Sequence, residues 1–413
     1  MSFKIGMWIL SGVKSWRKST KSRDMDEERA EWSDLPKELL PTIGKSLDTR
    51  IDIVRFRSVC NSWRSSIDPS NNSPRFPLKF PNPHSSTSAT QAQAPAYLCE
   101  STIYRLQRLN PSSTSSSNKA WLVKVEQDSN SGGKLRFFDP ISNRRTRYPN
   151  KTLNLLDFRV IELTKAYTLR YKVRAGFTTS TNEIEQVLSV RDSSIPCVTK
   201  VVVFPNSPWT NVNDSAVFVI FGVGTLGFAK SGAESLTVVD DNGFEYDDII
   251  VYKGQFYVID TLGNVLWIDN SSLKLVPFLP PLCGLGSQKH LVESCGALYV
   301  VDRYFKKKRR RRRRVEHNNW YVRDSEGPKV VDFKVYKLDE EWGRWELEKS
   351  LGDRAFVLGK DCCLSISAEE FTGYKKNCIY FNDQNGTHVF NLEDGSFGDL
   401  QDIYPSWLLS NLL

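Results

Sequence analysis

The chain has 413 residues, 40% of them hydrophobic and 12% aromatic, with 11 Trp and 22 Phe. That is too much core-forming material for a disordered chain, and enough length for two domains. The formal charge is +8, but Lys306 to Arg314 are consecutive basic residues and the remainder would carry −1 without them, so the hint of an acidic partner attaches to one spike on a near-neutral chain. No stretch approaches the ~20 apolar residues of a membrane-spanning helix, and no membrane is expected among the partners.

Residues 1–30 read as a disordered extension. Phe3 to Val13 is fairly apolar, and Lys14, Arg17, Lys18, Lys21 and Arg23 follow it. A secretory signal places its charge first, so the composition is closer to that of a mitochondrial presequence.

Residues 31–67 carry the helical signal. Leu35, Leu39, Ile43 and Leu47 recur every four residues, which is one face of a helix. Asp34 is a cap for it, and Pro36 and Glu38 suit a first turn. Pro41 predicts a kink or a restart, because inside a helix it removes a hydrogen bond and crowds the preceding turn. A second helix is expected to open at Asp48 or Thr49, with Asp52 completing a capping box. Ile53, Phe56, Cys60, Trp63 and Ile67 continue as an apolar stripe at spacings of three and four. This is more apolar surface than so small a unit hides within itself, a surplus that marks a partner interface.

The ordered set Trp32, Leu35-Pro36, Leu39-Leu40, Ile43, Leu47, Arg57, Cys60 and Trp63-Arg64 resembles an F-box, the module that docks on the Skp-type adaptor of cullin-based ubiquitin ligases. The resemblance implies an adaptor-binding set of Leu35, Pro36, Leu39, Leu40, Ile43, Leu47, Phe56, Val59 and Trp63. It also implies a cullin reached through the adaptor, and a chain that is not itself an enzyme.

Residues 68–95 hold Pro69, Pro74, Pro77, Pro81, Pro83 and Pro95 among Ser, Asn and Gln, and read as a flexible linker. Residues 96–413 read as short strands with turn signals. Expected strands include Ala120 to Val125, Val201 to Phe204, Ala216 to Phe221, Leu236 to Val239, Ile249 to Tyr252, Gln255 to Asp260, Val265 to Asp269, Ala297 to Val301, Asp332 to Leu338, Cys378 to Phe381 and His388 to Leu392. Asp241-Asn242-Gly243, Lys253-Gly254 and Asp394-Gly395 supply turns between them. The fold class is therefore mainly β with a small N-terminal α-helical module. So many strands favour a closed, β-propeller-like domain, and at ~40–45 residues per blade it would hold six or seven blades. A weak repeat agrees: Asp139, Asp260, Asp302 and Asp339 each follow a strand-like run and precede a turn.

Tyr336-Lys-Leu-Asp, Trp345, Ser350 to Gly359, Cys363 to Ala368, Asn377 to Asp383 and Leu291 to Arg303 resemble the propeller-like, F-box-associated C-terminal domain of unknown function in a large plant family of SKIP-type F-box proteins. The family resemblance implies a substrate receptor that recruits a protein target of unknown identity.

Gly222-Val-Gly224-Thr-Leu-Gly227 mimics a dinucleotide fingerprint, but Phe228 to Ser235 is too short for a parallel crossover, so these glycines belong to hairpins. Lys306, Lys307, Lys308, Arg309, Arg310, Arg311, Arg312, Arg313 and Arg314 repel one another and form a solvated insertion, within 304–328, at a blade edge. The run is a nuclear-localisation candidate, with a passive loop as the plain alternative. A nuclear nucleic-acid-associated protein is the rival function, though no stacking platform accompanies the charge. Localisation is expected in the nucleus, the cytoplasm or both.

Cys60, Cys99, Cys197, Cys283, Cys295, Cys362, Cys363 and Cys378 show no Cys-x-x-Cys spacing and read as buried thiols. His84, His290, His317 and His388 are assigned to a linker, a loop, the insertion and a strand. Asp247-Asp248 and Asp339-Glu-Glu read as turn and surface charges. No catalytic residue, metal site or cofactor is expected.

Overall fold

The computed structural model describes residues 35–68, 76–83, 95–109, 119–127, 135–145, 157–178, 184–210, 214–230, 232–240, 243–282, 284–306, 328–383 and 386–398. Trp32, Asp34, the extension 1–30, Asn242, Cys283, His84, His317 and Lys307 to Arg314 lie outside them. The chain forms two units: residues 1–73 with 206–211, and the remainder. No helix of the described residues is long and apolar enough to cross a membrane.

The helical unit contains α1 (Leu39–Lys45), α2 (Arg50–Arg57) and α3 (Asn61–Ser66). A turn closed by Leu39 N donating to Pro36 O at 3.0 Å leads into α1. Pro41 is then the third helical residue, where its missing N–H would have had no intrahelical acceptor. The helix thus begins where the proline costs least, and the proline does not interrupt it. Thr49 caps α2 as expected: its Oγ1 accepts from Asp52 N at 3.2 Å and donates to Asp52 Oδ2 at 2.7 Å. Leu40, Ile53, Phe56, Trp63 and Ile67 form one core, with Trp209 of the 206–211 segment packed on it. The rings of Phe56 and Trp63 lie 4.5 Å apart, and Trp209 Nε1 donates to Leu47 O at 2.9 Å.

The second unit is built of five sheets. The first runs β4-β3-β2-β5-β6, from β2 (Ala96–Arg108), β3 (Trp121–Gln127), β4 (Leu135–Phe138), β5 (Phe158–Thr178) and β6 (Ile184–Ser194), with β1 (Leu78–Phe80) paired on β2. The stretch read as a linker therefore donates a strand, Leu78 to Phe80 pairing antiparallel with Ala96 to Leu98. The second sheet is β7 (Val198–Phe204), β8 (Ala216–Phe221), β9 (Thr225–Lys230) and β10 (Thr237–Val238). The third is β11 (Tyr246–Tyr252), β12 (Gln255–Asp260), β13 (Val265–Ile268) and β14 (Leu275–Pro277). The fourth is β15 (Gln288–Ser294), β16 (Ala297–Phe305), β17 (Val330–Asp339) and β18 (Arg344–Glu348). In the fifth, β19 (Arg354–Leu358) pairs antiparallel with β20 (Cys363–Ser367) and parallel with β21 (Cys378–Asp383), followed by β22 (Gly386–Asn391) and β23 (Phe397–Gly398).

Each sheet packs on the next through its own apolar cluster. Leu98 and Leu169 meet Val201 and Val217, Phe218 meets Phe256, Tyr252 meets Leu291, and Val301 meets Phe356. The fifth sheet returns to the first through Val357 and Tyr380 against Ile103 and Leu122. The ring closes at five blades, which corrects the expectation of six or seven. The difference lies in the first blade, whose β2 and β5 run for 13 and 21 residues.

The aspartate repeat is real in three of its four members. Asp139 Oδ1 accepts from the amides of Ile141 and Ser142, Asp260 Oδ1 from Leu262 and Asn264, and Asp339 Oδ1 from Glu341 and Trp342. These are Asx turns that stop the strand and start the reversal. Asp302 differs, since β16 continues to Phe305 and the side chain is fully buried. Lys253-Gly254 and Cys295-Gly296 both have positive φ and close two-residue hairpins. β8 and β9 are antiparallel, with Gly222 and Gly224 at positive φ in their turn, so the glycine motif is a hairpin. Gly227 lies within β9 and supplies no positive φ.

Candidate functional site

Two regions concentrate chemistry. The first is the helical unit. Leu40, Phe56 and Trp63 of the adaptor-binding set are buried in its core, while Leu35, Ile43 and Leu47 are half-buried against that core. Pro36 is exposed, and Leu39 and Val59 retain 49% and 40% exposure. Adjacent residues of a helix point about 100° apart, so Leu39 must turn outward when Leu40 turns in. The set thus divides into side chains that hold the module together and side chains that remain available. Val54, more exposed than either at 57%, was hidden from the sequence reading by its neighbour Ile53, which fits the apolar stripe.

The second region lies where β7, β11, β15 and β20 run side by side at the inner edges of their sheets. Buried cations and carboxylates pair here and at the sheet junctions: Lys200 Nζ with Asp248 Oδ1 at 3.0 Å, Lys289 Nζ with Asp302 Oδ1 at 3.7 Å, and Lys124 Nζ with Asp361 Oδ2 at 2.5 Å. Asp248, read from sequence as a turn charge, is buried and held twice by backbone: Oδ1 accepts from Ile249 N at 2.8 Å and Oδ2 from Leu291 N at 2.9 Å. His290 lies in β15 rather than in a loop, and its Nε2 is buried with no hydrogen-bond partner among the described residues. Cys363 Sγ lies 3.9 Å from Asp248 Oδ2 and 3.8 Å from Lys200 Nζ.

Burial sets the protonation states. It lowers the His290 pKa to about 4 against the pull of Asp248, leaving a neutral imidazole at pH 7. It pushes the Cys363 thiol up to about 12 despite nearby Lys200. Burial works against the charge of Lys200 too, but the Asp248 carboxylate outweighs it and holds the ammonium above its ordinary range. A protonated thiol beside a neutral imidazole is not an activated nucleophile. Not all the cysteines are buried: Cys197 and Cys295 are exposed, both at positive φ.

One end of the blades carries exposed apolar residues. Val223 and Leu262 occupy the turns after the second strand of their sheets, and Phe244 and Leu285 the segments that enter the next sheet. In antiparallel four-stranded blades those two kinds of connection fall on the same face. Exposures are 78% for Val223, 49% for Phe244, 67% for Leu262 and 91% for Leu285. The connections are joined by backbone bonds: Tyr246 N to Gly224 O, Thr261 N to Glu245 O, and Leu282 N to Gly263 O, each at 2.9 Å. Lysine 306, the described member of the basic run, is exposed and its amide donates to Lys329 O at 2.8 Å, pinning the base of the insertion.

A family model described as the KIB1-4 beta-propeller matches residues 92–391. Three Arabidopsis thaliana proteins are similar over nearly the whole chain. The putative F-box protein At1g65770 is 32% identical, covering 91% of this chain and 96% of that protein. F-box protein At4g35733 is 30% identical, with 91% and 95% covered. F-box protein SKIP23 is 30% identical, with 90% and 87% covered. Among solved structures, a Bacteroides thetaiotaomicron protein of unknown function is 9% identical with a TM-score of 0.28, covering 72% of this chain and 75% of that one, a likeness that carries no argument. With helices of F-box pattern ahead of five closed blades, the chain belongs to the F-box proteins that carry the KIB1-4 beta-propeller.

Proposed function

We propose that this protein is the substrate-receptor subunit of an SCF-type ubiquitin ligase. The helical unit binds a Skp-type adaptor and, through it, a cullin, and the propeller recruits a protein target. The observation that carries the reading is that Pro36, Leu39 and Val59 stay at the surface although the unit already has a closed core of its own. Apolar side chains surplus to a core are what a partner covers. The chain does no bond chemistry in this scheme. It raises the local concentration of target lysines beside a thioester made elsewhere. The face bearing Val223, Phe244, Leu262 and Leu285 is where an apolar segment of the target would dock.

Affinity capture from plant cells tests both halves. A Leu35→Ala/Pro36→Ala variant should lose adaptor and cullin and keep the target. A Leu262→Asp/Leu285→Asp variant should do the reverse. Equal recovery of adaptor by wild type and the first variant would count against the assignment.

The basic run from Lys306 to Arg314 is the proposed nuclear import signal. Replacing it with Ser and Gly should move a fluorescent fusion from the nucleus to the cytoplasm. An unchanged distribution would make the run a passive insertion.

A further inference from the structure

We propose that Asp248, His290 and Cys363 form a binding site for one zinc ion at the inner edge of the propeller. Three sheets contribute one donor each, from β11, β15 and β20. The carboxylate oxygen, ring nitrogen and sulfur all lie within 4.8 Å of one another. Ligands of a tetrahedral zinc, at ~2.0–2.3 Å from the metal, stand between about 3 and 4 Å apart, so side-chain rotation alone brings these into range.

An independent observation singles out the histidine. Its Nε2 is buried with no hydrogen-bond partner among the described residues, and a buried polar atom in that state calls for an explanation. An ion within reach of the ring supplies one. A neutral imidazole offers the lone pair that a metal takes. The donor set is one oxygen, one nitrogen and one sulfur, which suits zinc and is poor for magnesium or calcium, ions that take six or more oxygens. Three protein ligands leave a fourth position for water.

The surroundings provide an outer shell. Lys200 and the Ile249 amide hold Asp248 Oδ1, leaving Oδ2, which already accepts from Leu291 N, to turn its remaining lone pair toward the metal. Lys200, 3.8 Å from Cys363 Sγ, favours the thiolate. Coordination breaks the Cys363 S–H bond, forms a sulfur–zinc bond and releases one proton to solvent, with no change of oxidation state. Carboxylate, thiolate and ammonium together then carry −1, and zinc brings the cluster to +1. Because a proton is released, binding must weaken as pH falls.

The test uses the full-length protein, stripped of metal with a chelator. Titration with Co²⁺ should give one equivalent of binding with the near-ultraviolet charge-transfer band of a cobalt–thiolate bond, and Zn²⁺ should displace it. Cys363→Ser should abolish the band, and His290→Asn should weaken zinc binding at least tenfold. Zinc should also slow alkylation of Cys363 in the wild-type chain, read by mass spectrometry of its peptide, a measurement that needs no variant to fold. Absence of a thiolate band, a band that survives in folded Cys363→Ser, or unaltered alkylation of Cys363 each overturns the site.

Discussion

Gly44 is the tightest point of the helical unit. A Cβ built there would stand 2.5 Å from Ile67 Cγ2 and 2.9 Å from its Cδ1. Ile67 is buried at 5% exposure and belongs to the same core as Leu40 and Trp63, so any shift of its side chain disturbs that core. Two effects compete in Gly44→Ala. Helix propensity favours alanine by about 1 kcal/mol. Overpacking a closed core costs about 1–3 kcal/mol, and a contact this short belongs at the upper end. Net destabilisation is the expected outcome, seen as faster hydrogen exchange in the α1 and α3 amides while the propeller strands stay protected. Exchange as slow as wild type would mean that Ile67 repacks freely. Nothing in the spacing of residues marks Gly44 out, because its partner is fixed by how α1 meets the end of α3.

Among the elements, what was legible depended on whether the signal was local. The apolar positions Ile53, Phe56, Trp63 and Ile67 could be read from their spacing, and with Leu40 they make the core, although the structure divides them between α2, α3 and the extended residue after α3. The Thr49 cap is likewise local. Middle strands such as β12 and β13, which alternate or run apolar between glycine turns, were found nearly to the residue. Inner strands were harder. In β15, Gln-Lys-His-Leu-Val-Glu-Ser, the buried Lys289 and the half-buried His290 break any apolar pattern, and the Lys289 ammonium is satisfied by protein groups and not by water. Lys289, for example, donates to Thr261 O at 2.8 Å. The long β2 was missed for another reason: its buried positions, Ala96, Leu98, Ser101, Ile103 and Leu106, change phase twice along the strand. The zinc-site residues could not be assembled from sequence at all. Asp248, His290 and Cys363 come from three separate sheets, and only the propeller ring makes them neighbours.

At the scale of the whole propeller, a ring must join its two chain ends, and here the first and fifth sheets do so without sharing a continuous strand ladder. Ala120 exchanges backbone bonds with the connection between β20 and β21, its N donating to Glu370 O and its O accepting from Thr372 N, both at 2.8 Å. Beside them Lys124 of β3 is fully buried against Asp361, and its Nζ also donates to Asn143 Oδ1 at 2.9 Å. A buried pair of this kind adds little net stability over apolar residues of the same volume, yet removing one partner strands the other charge, at about 3–5 kcal/mol. The seam is already short of partners, because Asp361 Oδ1 has none among the described residues. Lys124→Met should therefore lower the denaturant midpoint of the propeller and raise hydrogen exchange first in β3 and in β19 to β21, the strands flanking the closure. Lys124→Met/Asp361→Leu should recover most of the loss, since neither charge of the pair is then left without its partner. The two variants separate a charge-specific latch from simple packing: a latch gives a damaged single variant and a rescued double one, whereas a midpoint within about 0.5 kcal/mol of wild type for Lys124→Met alone would show that Val357, Tyr380, Ile103 and Leu122 close the ring by apolar contact.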